Sequence, residues 1–122
     1  MGSPDSATRF RGFEEFWPFY VGQHSRPGTR ALHFIGTSLA LALVATAIAT
    51  QRSYLYAWAL LAGYGFAWIG HFFIEKNRPA TFQYPLWSLR GDFRMYALMW
   101  QGKMTREFER VVRAEGMGAL PG

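Results

Sequence analysis

The chain has 122 residues and a formal net charge of +5, with 50% hydrophobic and 18% aromatic residues and no cysteine. This length allows a single domain, residues 1–122, and the lack of cysteine excludes a disulfide framework and a thiolate metal site. The basic residues flank apolar segments and accompany no nucleic-acid-binding motif, so nucleic acid is not expected as a partner.

The first predicted helix covers residues 9–24 and follows residues 1–8, which are expected to be a loose end. Aromatic side chains recur in this helix at intervals of three or four, which is typical of an amphipathic helix with one apolar face. Arginines beside that face indicate a position at the bilayer interface. Pro18 predicts a kink or a restart, and His24 continues the aromatic stripe.

Two long segments with almost no charge follow, from about residue 31 to 51 and from about 53 to 76. Each reaches the roughly 20 residues that an apolar helix needs to cross a bilayer. We expect Thr29 and Ser53 to cap these helices, and the short connection to make them an antiparallel hairpin. Small residues that allow close helix packing recur along the second segment, at Ala59, Gly63, Ala67 and Gly70.

The distribution of basic residues predicts the orientation of this hairpin. Arg52 lies on the connection, and the other 12 of the 13 Lys and Arg residues lie on the side of the termini. The positive-inside rule then places both termini in the cytoplasm, with the hairpin in a bacterial inner membrane or in the endoplasmic reticulum of a eukaryote.

The last predicted helix begins with Asp92 as its N-cap and continues to about Ala114, before a second loose end at residues 116–122. Its apolar residues recur at intervals of three or four, so we expect it to lie on the cytoplasmic leaflet and to cover the site. The complete prediction is an all-α integral membrane protein. A two-span antiparallel helical hairpin is flanked in it by an N-terminal and a C-terminal amphipathic interfacial helix.

All three histidines of the chain are predicted at one level of the membrane. His24 ends the first helix, His33 opens the first span and His71 closes the second. Glu75 lies one helical turn beyond His71, on the same face. Imidazoles and a carboxylate can hold Fe(II) and leave positions open for substrate and O2. The candidate catalytic and metal-binding residues are therefore His24, His33, His71 and Glu75.

Simpler interpretations stand beside this one. A single interfacial His or Glu commonly reaches toward the lipid headgroups, and His71 and Glu75 can form an ordinary helical pair. The protein would then be a non-enzymatic membrane hairpin with a structural or partner-binding role, and a bis-histidine haem protein is a further alternative. Three polar residues could bind a substrate carboxylate or anchor the chain at the interface, namely Asn77, Arg78 and Arg90.

These residues resemble those of a family of small membrane proteins, typified by a fungal endoplasmic-reticulum dioxygenase of 2-hydroxy fatty acids and formerly described only as a domain of unknown function. The resemblance covers roughly residues 13–99. It is carried by His24 and by two motifs, Arg30-x-x-His33-x-x-Gly36-Thr37 and Gly70-His71-x-x-x-Glu75-x-x-x-Pro79-Ala80. It implies a non-haem Fe(II) enzyme of fatty-acid α-oxidation, which uses O2 to convert a 2-hydroxy fatty acid into the acid one carbon shorter.

By motif position, the functional histidines of that family fall on His24, His33 and His71. Glu75 matches the acidic position, either as a ligand or as a partner that orients a histidine. The fungal members are longer and carry a further histidine where this chain has Gln23. We therefore expect either a different substrate or a site that is completed in a homo-oligomer.

Overall fold

A computed structural model describes residues 10–116 of the chain, and these residues form helices with no strand among them. The all-α prediction is confirmed. The helices are α1 (Phe13–Gly22), α2 (Pro27–Thr50), α3 (Tyr54–Ile69), α4 (Pro85–Trp100) and α5 (Met104–Glu115). A π-helical turn (Gly70–Glu75) continues α3, and a 3-10 helix (Ala80–Phe82) precedes α4. The predicted loose ends lie outside the described residues, except for Gly116.

The aromatic face of α1 forms the centre of the protein core. Phe16, Trp17 and Tyr20 are buried there against apolar residues of α4 and α5. Pro18 lies inside this single helix, so the chain does not restart at that position. A proline removes only one backbone hydrogen bond, and the buried aromatic face holds the helix together around it.

The two long helices begin close to their predicted positions, with one correction. Thr29 is not the N-cap of α2, because that helix begins at Pro27 and its N-cap residue is Arg26. Proline suits the first helical position, since its missing N–H would have no partner there. Ser53 is the N-cap residue of α3, although its side chain makes no capping hydrogen bond.

Small residues let α2 and α3 approach closely. A Cβ atom at Gly36 would lie 2.8 Å from the carbonyl oxygen of Ala62, and one at Gly70 would lie 3.3 Å from the Cα of Thr29. Early residues of α2 therefore lie beside late residues of α3. This packing places the start of α2, which carries His33, next to the π-helical turn, which carries His71.

The predicted single helix from Asp92 to Ala114 is wrong. The structure has two helices, α4 and α5, and Asp92 lies in the middle of α4. Pro85 starts α4 earlier than predicted, and Gly102, with a φ of +69°, breaks the chain between the two helices. The apolar face of α5 packs on α1 through Met104, Phe108, Val111 and Val112.

The close contact at Gly36 predicts that alanine substitutions at Gly36 and at Gly65 have opposite effects on the stability of the protein. Gly36→Ala forces a methyl group against a backbone oxygen of α3, so we expect it to destabilise the protein by about 1–3 kcal/mol. Gly65→Ala is the matched control, because a Cβ there meets no atom within 4 Å, and it should stabilise by about 0.5–1 kcal/mol. Thermal unfolding in detergent measures both, and equal effects would contradict the close contact.

Glu107 of α5 predicts a dependence of stability on pH. Hydrogen bonds from Arg110 and Trp17 lower the pKa of Glu107 from 4.5 to about 2, against the opposing effect of burial. Because the folded pKa is the lower one, this contribution is fully present above pH 4.5 and is lost as the pH falls toward 2. Glu107→Gln should therefore unfold at a lower temperature than the wild type at pH 7, with a smaller difference at pH 3.

Candidate metal centre

His24 lies just after α1 and is almost fully buried, at 1% exposure. Its Nδ1 lies 2.7 Å from the carbonyl oxygen of Tyr20, to which an Nδ1–H donates a hydrogen bond. Burial, with His33 and His71 nearby, lowers the pKa of His24 well below its usual value, so the ring is neutral. The Arg30 guanidinium donates to the carbonyl oxygen of His24 at 2.7 Å and fixes this segment. The Nε2 lone pair of His24 is therefore available to a metal.

His71 lies in the π-helical turn at the end of α3. Its Nδ1 lies 2.7 Å from Oδ1 of Asn77, and the amide nitrogen of Asn77 donates to the carbonyl oxygen of Gln23 at 3.1 Å. Because that second bond fixes the amide orientation, the amide oxygen faces the ring and accepts a hydrogen bond from Nδ1–H. The Nε2 of His71 is then unprotonated, as in His24. Single π-helical turns within α-helices are frequent at functional sites.

His33 receives its partner from α4. Its Nδ1 lies 3.7 Å from Oδ1 of Asp92, and the hydroxyl of Tyr20 donates to the same oxygen at 2.6 Å. Burial raises the pKa of Asp92 to about 7, against the lowering effect of the hydrogen bond from Tyr20. A carboxylate on the far side of a metal-binding imidazole is a common way to orient the ring.

The three Nε2 atoms converge. His24 and His33 are 3.0 Å apart at Nε2, and His33 and His71 are 3.5 Å apart. Ligand nitrogens at about 2.0–2.1 Å from one metal ion lie roughly 2.9–3.4 Å apart, for angles between 90° and tetrahedral. Nδ1 of His24 and of His71 is hydrogen-bonded to an oxygen, and Nδ1 of His33 lies 3.7 Å from one, so the three Nε2 atoms can direct their lone pairs at a common cation. The residues therefore fit a metal ion.

Glu75 has other partners. Its carboxylate accepts a hydrogen bond from the hydroxyl of Ser25 at 2.7 Å and from the backbone N–H of Arg26 at 2.6 Å. Within the described residues, the group that could hold a metal consists of the three histidines alone. Glu75 thus joins the π-helical turn to the start of α2, and its predicted role as a metal ligand stays a prediction.

A family described as "2-hydroxy-palmitic acid dioxygenase Mpo1-like" matches residues 10–104. The chain belongs to this Mpo1-like family. Its match contains all three histidines as well as Asp92 and Glu75. No curated protein and no solved structure gives a significant match.

The predicted substrate-binding residues take different positions in this Mpo1-like chain. Asn77 contacts the metal centre directly, through the ring of His71. The guanidinium of Arg78 lies 5.4 Å from the ring centre of Phe82, and that of Arg90 lies 4.2 Å from the ring centre of Phe13. These cation–π contacts involve no histidine, and the substrate role of both arginines stays a prediction.

Sequence reasoning missed Asp92 and Tyr20 as members of the site. The sequence pattern indicates Asp92 as the N-cap of the last helix. In the structure Gly91 lies within α4, and a Cβ there would lie 2.9 Å from the ring of Tyr20. A glycine in a helix interior marks a close approach of this kind. That glycine, and the isolation of Asp92 from every other acid between Glu75 and Glu107, were the available signals.

The contact of Asp92 with His33 predicts a positioning role. Asp92→Asn should weaken metal binding by about 10- to 100-fold, because the partner that orients a ligand is lost. Metal titration of the protein in detergent measures the affinity, with Glu109→Gln on α5 as the control. The thermal stability of the metal-free variant should change little. An unchanged affinity in Asp92→Asn would show that His33 does not depend on this carboxylate.

Proposed function

We propose that this protein is a membrane-bound non-haem Fe(II) dioxygenase that acts on 2-hydroxy fatty acids and releases the acid one carbon shorter. One observation carries the proposal, which is the convergence of three buried histidine Nε2 atoms in a chain of the Mpo1-like family. With carbon dioxide and water as the other products, one O2 supplies the four-electron oxidation, so no further reductant is needed.

The exposure of the long helices supports a location in the membrane. Two helices are long and apolar enough to span a bilayer, Pro27–Thr50 and Tyr54–Glu75. Within an apolar stretch of 18 residues in each helix, only 17% and 22% of the stretch is buried, whereas the core helix of a soluble protein is mostly buried. Large apolar side chains on them are exposed, including Ile48 at 65% and Phe73 at 73%. We propose a two-span antiparallel hairpin with both termini in the cytoplasm.

The donor set supports iron as the metal. Neutral imidazole suits iron and zinc, and three protein ligands leave positions open for other molecules. When bound, Fe(II) would supply the redox chemistry that O2 requires at this position. His24, His33 and His71 would hold the ion. The carbonyl of Tyr20, the amide of Asn77 and the carboxylate of Asp92 would keep the three rings in place.

A bis-histidine haem protein and a non-enzymatic hairpin, the two alternatives, differ from an iron enzyme in the metal group that they predict. Haem between two axial histidines needs their nitrogens about 4 Å apart on opposite sides of the iron, since each bond is about 2.0 Å. The 3.0 Å between Nε2 of His24 and of His33 is too short for that arrangement. A purely structural hairpin would contain no metal after purification. A homo-oligomer that supplies further groups to the site stays part of the proposal.

His71→Ala tests the proposed function. We expect the variant to lose both bound iron and turnover of a 2-hydroxy fatty acid, because one of three ligands is removed. It should remain in the membrane fraction after an alkaline wash, since the spans are unchanged. Phe73→Ala is the matched control, because this exposed side chain lies in the same π-helical turn. Iron content is measured by elemental analysis, and full iron occupancy in His71→Ala would contradict the proposal.

A further inference from the structure

An elongated cavity of about 410 Å³ lies between α2, α3 and α4. His33 and Asp92, two residues of the metal centre, form part of its wall. From there the cavity extends along α2 as far as Val44, and Tyr56 near the start of α3 lines it at the same distant end. The space is therefore continuous with the candidate metal centre at one end and apolar along most of its length.

The length of this cavity matches an acyl chain in one leaflet of a bilayer. The helix positions 33 and 44 on α2 are about 16 Å apart, at a rise of 1.5 Å per residue. Half of a hydrocarbon core of about 30 Å is about 15 Å. A fatty-acid tail of ordinary membrane length thus fits between the metal centre and the far end.

Small residues of α3 keep the middle of the cavity open. Gly63 and Ala59 line it, and a Cβ at Gly63 would lie 3.6 Å from the Cβ of Ala40 across on α2. The outer wall consists of exposed apolar side chains such as Leu60 and Phe93. A tail can therefore reach the cavity sideways from the surrounding lipid.

A second cavity provides an internal comparison. It has a similar volume, about 390 Å³, and is lined by apolar residues of α2 and α3 that include Trp58, Leu61 and Gly65. Among residues 10–116, neither a histidine nor a carboxylate lines it. Volume and apolar walls are thus shared by both cavities, and contact with the metal centre distinguishes the first.

We propose that the first cavity is the binding site for the acyl tail of the substrate. The polar head lies at His33 and Asp92, and the end of the tail lies beside Val44 and Tyr56. Gly63, at the middle, determines which tail lengths are accepted. This inference rests on the proposed function for the identity of the head, and on the geometry of the cavity for the position of the tail.

Photo-crosslinking tests the position of the tail without relying on turnover. The probe is a 2-hydroxy fatty acid with a diazirine at its last carbon, added to the full chain in proteoliposomes, both with and without iron. Tandem mass spectrometry should locate the label on residues at the far end, foremost Val44 and Tyr56, and excess unlabelled acid should remove it. Label confined to Trp58 and Leu61 in the second cavity, or resistant to competition, would overturn the proposal.

Two matched substitutions test the length limit. Gly63→Leu should reduce labelling by a long-tailed probe about tenfold, the effect of about two methylenes losing apolar surroundings, and spare a short-tailed probe. Gly65→Leu, on the same helix but in the second cavity, should leave the labelling by both probes unchanged. Tyr56→Ala opens the far end and should shift the preference toward longer tails, which keeps the test decisive if Gly63→Leu misfolds. Unchanged length preference in both Gly63→Leu and Tyr56→Ala would refute the assignment.

The outcomes separate the two proposals. If the far end is labelled, excess unlabelled acid removes the label and the iron-loaded protein shows no turnover, the proposed tail site is supported and the proposed dioxygenase activity is contradicted. Turnover with bound iron, together with labelling elsewhere and no change in length preference, would leave the dioxygenase standing and remove the tail site.

Discussion

The candidate metal centre depends on a single constraint, which is that each buried imidazole must keep its Nε2 lone pair free. A neutral imidazole has one protonated nitrogen, so this requires an acceptor at every Nδ1. A backbone carbonyl serves His24 and a side-chain amide serves His71, both at 2.7 Å, while a carboxylate faces His33 at 3.7 Å. These three acceptors come from separate segments of the chain, and the fold can be understood as the means of bringing them together.

Close approach of the helix backbones allows the three acceptors to meet the three histidines. Gly36 and Gly70 bring α2 and α3 together near the histidines, and Gly91 makes room in α4 for the ring of Tyr20. Glu75 joins the π-helical turn to the start of α2 through its contacts with Ser25 and Arg26. The long helices α2 and α3 leave apolar side chains exposed along their length, which favours lipid as their surroundings.

The sequence allowed the long helices and the meeting of His33 and His71 to be predicted, because two long helices of similar length joined by a short turn bring their outer ends together. His24 could be added because it continues the aromatic stripe of α1. The sequence did not allow the role of Asp92 to be predicted, since an aspartate before apolar residues at helical spacing is typical of an N-cap. The prediction that Glu75 shares a face with His71 assumed α-helical geometry. Both residues lie instead in a π-helical turn, where the Glu75 carboxylate accepts hydrogen bonds from Ser25 and from the backbone N–H of Arg26.

Tyr20 contributes to the orientation of two histidines at once. Its backbone carbonyl accepts the hydrogen bond from His24, and its hydroxyl holds the carboxylate that faces His33. The ring itself stacks on His24, with the ring centres 4.1 Å apart. A rotation of α1 about its axis would therefore displace both histidines together. The packing of this helix on α4 and α5 is thereby coupled mechanically to the geometry of the ligand set.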